Sequence, residues 1–173
     1  MLSIVLKKAS ADDLEVIQQL GKETFYETFS MHNPEEEMQK YLEESFSSEK
    51  MLKEINTPES RFFIAWEAEN PVGYLKVNTG KAQTELQDDF SLEIERIYVK
   101  SSHHGKKVGQ LLYEKALEIA SEEEKKYIWL GVWEENKRAV SFYKKNGFEE
   151  FDKHIFRFGN EEQTDLMMKK ILG

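Results

Sequence analysis

Residues 92–113 read LEIERIYVKSSHHGKKVGQLLY, and a change of period inside that run decides the fold. Leu92, Ile94, Ile97, Tyr98 and Val99 are apolar, with β-branched and aromatic residues well represented, which predicts a strand. Val108, Leu111, Leu112, Ala116, Leu117, Ile119 and Ala120 then fall on one stripe of period 3.6, which predicts a helix over 106–120. Between the two lie His103, His104, Gly105, Lys106, Lys107 and Gly109, small and cationic. They sit where the first N–H groups of a helix have no intrahelical partner. Free amides beside two lysines make an anion site, best suited to phosphate.

Composition bounds what that site serves. A chain of 173 residues is read most simply as one domain, 1–173, burying roughly 70% of its unfolded surface. Three Trp, seven Tyr and eleven Phe supply a packed core. No apolar run approaches the ~18 residues needed to span a bilayer, and no signal-peptide pattern opens the chain, so no membrane partner and a cytoplasmic location are expected. With no cysteine there is no disulfide, no thiolate metal site and no cysteine acyl-enzyme. The net charge of −9 argues against nucleic-acid binding. The acidic surface is either a solubility device or a field that draws in cations. Against it the patch at 103–107 is a local exception that a bound polyanion explains. His103 and His104 are adjacent and cannot share one ion from a regular strand; His32 and His154 are isolated, so no metal is expected.

Working outward, residues 4–6 read as a first strand, and Ser10 with Asp13 as a weak capping box. Leu14, Ile17, Leu20, Phe25 and Phe29 follow at helical spacing. Asn33 is expected to cap a second helix with Pro34 at its first position, and Met38, Tyr41, Leu42 and Phe46 as its buried side. A short helical piece spans 49–55. Residues 62–66 and 72–77 read as a hairpin turning at Asn70-Pro71, and 81–89 as a polar connection. Residues 127–133, YIWLGVW, have the apolar run of a strand covered on both faces. Asn136 caps the next helix, Gly147 stops it, and 148–158 and 164–171 form two last strands joined at Gly159-Asn160. The strand–helix–strand passage over 92–133 implies a parallel pair, and the flanking hairpins antiparallel ones. The fold class is therefore mixed α/β (α+β), a mostly antiparallel sheet of about seven strands flanked by helices.

Two motifs carry a resemblance. His104, Lys107 and Gly109 fall on the acyl-CoA loop of the GCN5-related N-acetyltransferases (GNAT), with His in place of the usual Arg or Gln and Lys in place of the first glycine. Asn136, Ala139, Phe142-Tyr143, Lys145 and Gly147-Phe148 match that family's Asn-x-x-Ala-x-x-Phe-Tyr-x-Lys-x-Gly-Phe pattern. The whole chain resembles this family, and within it the bacterial PaiA-type polyamine acetyltransferases. The resemblance implies that the parallel pair splays apart, and that acetyl-CoA is the cosubstrate.

Acetyl transfer to an amine needs a deprotonated nitrogen, a stabilised oxyanion and a protonated leaving thiolate. Tyr143 is the candidate proton donor. Glu95 is the candidate base that the resemblance implies; the alternative is a strand residue paired with a lysine. Glu93, two residues away on the same face of an ideal strand, adds negative field. Backbone N–H groups at Ile97, Tyr98 and Val99 are implied to serve the thioester and the pantetheine arm. His104, Gly105, Lys106, Lys107, Val108, Gly109 and Gln110 would hold the pyrophosphate. The resemblance implies that Asn136 and Ala139 are cofactor-binding residues; Asn136 bonds the pantetheine arm, caps its helix, or does both. Lys145 either reaches the CoA phosphates or is a solvated helix lysine. Trp133 and Glu134 are candidates for the acceptor slot. The function implied is direct transfer to a small cationic amine, preferably spermidine or spermine. The alternatives are another amine (a protein N-terminus or an amino sugar) and an acyl-CoA-binding module without turnover. A homodimer is compatible with the sequence.

Overall fold

The computed structural model describes residues 3–173. Its seven strands form one sheet in the order β1-β2-β3-β4-β5-β7-β6, antiparallel except for the β4–β5 pair. β1 is Ile4–Lys8, β2 Ser60–Glu67, β3 Asn70–Asn78 and β4 Ser91–Val99; β5 is Tyr127–Trp133, β6 Glu149–Phe158 and β7 Glu161–Ile171. Helices α1 (Leu14–Phe29), α2 (Glu35–Ser45) and α3 (Ser48–Ile55) share one core with Phe62, Ile64, Tyr74, Trp133 and Phe158. α4 (Val108–Glu122) and α5 (Lys137–Lys145) share another with Phe63, Leu75, Leu92, Ile94 and Leu130. The sheet thus lies between two helical layers, as its alternating apolar residues require.

The capping box at Ser10 is formed: its Oγ accepts from Asp12 N–H at 3.3 Å, and its own N–H donates to Asp13 Oδ2 at 3.0 Å. Asn33 does not cap α2. It is buried, donating Nδ2 to the Phe29 carbonyl at 2.9 Å and accepting from Gln163 Nε2 at 3.2 Å. The extended ψ of Pro34, 142°, delays the helix to Glu35. The hairpin turn likewise falls at Ala68-Glu69, not Asn70-Pro71, with Ala68 at φ +54. Pro71 lies within β3 opposite Trp66, where β4 has not yet begun to pair, so its missing N–H interrupts no ladder bond on that side.

Two irregularities in β4 shape the functional end of the sheet. Its register against β3 passes from Lys76↔Arg96 to Val77↔Ile94, leaving Glu95 as the extra residue of a bulge. Glu95 and Arg96 consequently face the α1–α3 layer together, while Ile94 and Ile97 both pack in the α4 layer. On its other edge β4 pairs with β5 only from Ser91↔Tyr127 to Glu93↔Trp129. Beyond Glu93 the two strands part.

Candidate active site

The parting of β4 and β5 opens a cleft of about 1400 Å³ whose walls include both strands and the N-terminal ends of α4 and α5. Main-chain groups of β4 that would have bonded β5 are left facing it, around Ile97, Tyr98 and Val99, all of which line the cleft. Such an edge offers N–H donors at fixed spacing to an amide-bearing ligand.

At one end lies the start of α4, which has no side-chain cap; its first backbone bond is Leu111 N–H to the Lys107 carbonyl at 3.2 Å. The amides of Val108, Gly109 and Gln110 are therefore free, and all three residues line the cleft. Lys107 takes the left-handed conformation, φ +66, and so adopts with a side chain the backbone that glycine would adopt freely. Gly105 is also left-handed, at φ +78, and no atom lies within 4 Å of where its Cβ would stand. These open amides, with cations at Lys107 and Lys145 on the same cleft, fit a diphosphate. We expect Lys107→Gly to raise the thermal unfolding midpoint by about 2–4 °C, relieving about 1 kcal/mol of left-handed strain. Differential scanning calorimetry checks this.

The other residues at this end are braced. His104 Nε2 lies 2.7 Å from the Val99 carbonyl; a carbonyl only accepts, so that nitrogen carries the proton and ties the loop to β4. Gln110 Nε2 donates to Asn146 Oδ1 at 3.2 Å, and Asn136 Oδ1 accepts from Ala139 N–H at 3.3 Å, capping α5. Asn136 and Ala139 line the cleft as well. Lys106 does not; its side chain is exposed outside it.

Tyr143 stands on the cleft wall, 6% exposed, with its ring edge-on to Phe142 and Phe148 at 5.4 and 5.6 Å. Burial, with Tyr98 nearby, holds its phenol well above the ordinary range, so it is protonated throughout the working pH range.

The opposite end is aromatic and acidic. Trp133 stacks on Phe29 at 4.9 Å and meets His32 edge-on at 5.0 Å. Glu93 is 3% exposed and held by Thr84 Oγ1 at 2.5 Å, Thr84 N–H at 2.8 Å and Asn78 Nδ2 at 2.9 Å. Burial nevertheless raises its pKa. Glu95 is also engaged: Oε1 takes Lys76 Nζ at 2.7 Å and Asn78 Nδ2 at 2.8 Å, and Oε2 meets Arg96 at 3.2 Å. Burial opposes its charge, but Arg96 and Lys76 together outweigh that and hold the carboxyl below the usual range. A carboxylate so satisfied has little affinity left for a proton, which suits it to holding β4 in shape more than to acting as a base. Glu134 lies outside the cleft lining, its N–H bonded to the Thr164 carbonyl at 3.0 Å; its neighbour Glu135 lines the cleft.

Sequence reasoning missed Glu85, His154 and Asp165, which line this end too. His154 and Asp165 are cross-strand partners on β6 and β7, and Asp165 is the partner of Trp133 on β5. Their separation along the chain hides a row that only the strand order creates.

Residues 19–148 match the acetyltransferase (GNAT) family, and the chain belongs to it. It is an acetyl-CoA-dependent N-acetyltransferase. Among curated relatives it is 38% identical over 172 residues to an uncharacterized N-acetyltransferase of Lactobacillus delbrueckii subsp. lactis, covering 99% of each chain. It is 30% identical over 175 residues to spermidine N(1)-acetyltransferase of Thermoplasma acidophilum, covering 98% of each. Its fold superposes on the PaiA N-acetyltransferase of T. acidophilum, solved in complex with coenzyme A, with a TM-score of 0.81 at 26% identity, covering 99% of this chain and 100% of that one.

Proposed function

We propose that residues 1–173 act as one domain that moves an acetyl group from acetyl-CoA directly to a primary amine of a small cationic acceptor, with spermidine or spermine preferred. The observation that carries this reading is the shape of the cleft: free helix amides at one end, carboxylates and aromatics at the other, and Tyr143 on the wall. The 30% identical spermidine acetyltransferase supports the choice of acceptor.

When bound, acetyl-CoA supplies an activated carbonyl and a thiolate leaving group. The amides of Val108, Gly109 and Gln110 bind its diphosphate, with Lys107 and Lys145 adding charge. The open edge of β4 at Ile97, Tyr98 and Val99 orients the amide-bearing arm and polarises the carbonyl. Tyr143 delivers a proton toward sulfur. Glu85, Glu93, Asp165 and Trp133 draw the cationic acceptor to the far end, in keeping with the net charge of −9.

Release of free thiol, followed with polyamines, monoamines, an amino sugar and a peptide N-terminus, tests the reading. Turnover fastest with a polyamine supports it, and turnover fastest with another member of the panel reassigns the acceptor. Acetyl-CoA at about 100 times its Kd is expected to raise the unfolding midpoint by about 5–10 °C, equivalent to about 2.7 kcal/mol. Binding without turnover on any amine would leave an acyl-CoA-binding module.

A further inference from the structure

Of the carboxylates that approach the point where β4 and β5 separate, Glu93 and Glu95 have their oxygens taken by protein donors. Asp165 does not. Among the described residues the cation nearest its Oδ2 is His154 Nε2 at 3.8 Å, too far for a hydrogen bond. Its carboxyl lies over the exposed backbone of Gly131, on the floor of the cleft where the strands have parted: a Cβ built on Gly131 would stand 3.8 Å from Asp165 Oδ2. It lines the same cleft as Tyr98 of β4 and Tyr41 of α2.

We propose that Asp165 is a catalytic residue whose carboxylate receives the acceptor ammonium and takes from it the proton that must leave before nitrogen can attack. The inference rests on the amine acetylation proposed above. Burial, and Glu85 beyond His154, raise the pKa of Asp165 above its ordinary value although His154 opposes them, and a more basic carboxylate accepts a proton more readily. His154 lies between the two carboxylates, with Nδ1 3.2 Å from Glu85 Oε1; Asp165 itself lines the open cleft, so a proton it takes has a route to solvent there.

The step balances. The ammonium gives one proton to Asp165, which releases it to solvent in the cleft. The freed lone pair forms the N–C bond to the acetyl carbon as the C–S bond breaks. Tyr143 gives its phenolic proton to sulfur, and the second proton shed by nitrogen restores Tyr143 through solvent.

The test compares two acceptors of similar shape: a strongly basic alkyl diamine, and its difluoro derivative with a reacting nitrogen largely unprotonated at assay pH. Asp165→Asn should lower kcat/KM for the basic diamine about 100-fold or more and for the weakly basic one less than tenfold, with acetyl-CoA affinity unchanged. Asp165→Glu should recover part of the loss; Asp165→Ser replaces the asparagine variant if that one does not fold. Equal losses with both acceptors, or no loss with either, would overturn the assignment. Failure of the wild-type enzyme to acetylate any amine would overturn the proposed activity instead.

Discussion

Tyr143→Phe is expected to lower kcat about 100- to 1,000-fold while leaving the affinity for acetyl-CoA and the unfolding midpoint where they are. The ring carries the packing: at 6% exposure it is wedged between Phe142 and Phe148, and phenylalanine preserves both contacts. What is lost is one O–H on the cleft wall. Because burial and Tyr98 raise the phenol above its ordinary value of 10.0, a free phenolate is disfavoured there. The proton passed to sulfur must then be replaced within the same catalytic event. The loss in Tyr143→Phe should accordingly be the same across the working pH range, with no alkaline limb removed by the substitution. Single-turnover kinetics with saturating acetyl-CoA measure it. An unchanged chemical step would give the proton transfer to water and leave Tyr143 as a packed aromatic.

The parts of the molecule that local chemistry dictates were legible in the chain. Strand 127–133 has the predicted bounds, Asn136 caps α5, and Gly147 ends it in the left-handed conformation at φ +94. The uncapped start of α4, with its open amides beside Lys107, was legible because helix amides and lysines need no tertiary context. Long-range partners were not. Asn33 has the sequence of a cap, but Gln163, 130 residues away, and the Phe29 carbonyl take its side chain. His154 is isolated in sequence, yet β6 and β7 set it beside Asp165, and the loop after β3 brings Glu85 to its other nitrogen. The bulge in β4 did leave a trace. Ile94 and Ile97 are three apart with Glu95 and Arg96 between them, an interval that breaks strand alternation. An ideal strand puts Glu93 and Glu95 on one face but sends Arg96 to the other, so the cation that neutralises Glu95 was invisible.

That neutralisation makes Glu95→Gln the second large effect, and one of stability. Lys76, Arg96, Glu54 and Glu95 form a closed set of two cations and two anions joined at 2.7, 2.7, 2.9 and 3.2 Å, with Lys76 only 4% exposed. Removing Glu95 leaves two cations against one anion in a half-buried site, and the expected cost is about 3 kcal/mol. The pH dependence has a definite sign. The folded carboxyl lies below its ordinary value of 4.5, so its contribution is complete above that value and is lost as pH falls through the lower folded value. Wild-type and Glu95→Gln stabilities should therefore differ most near neutrality and converge in acid. A general base at this position predicts something else: little change in stability and a rate loss greatest at low pH, where free amine is scarce. Urea unfolding across pH, run beside the rate profile, separates the two. The double variant Glu95→Gln with Lys76→Met makes the separation sharper, since it leaves Arg96 and Glu54 balanced one against one. If charge balance is what matters, adding the second substitution recovers about 1–3 kcal/mol of what the first removed. A base has no reason to be rescued by the loss of a lysine.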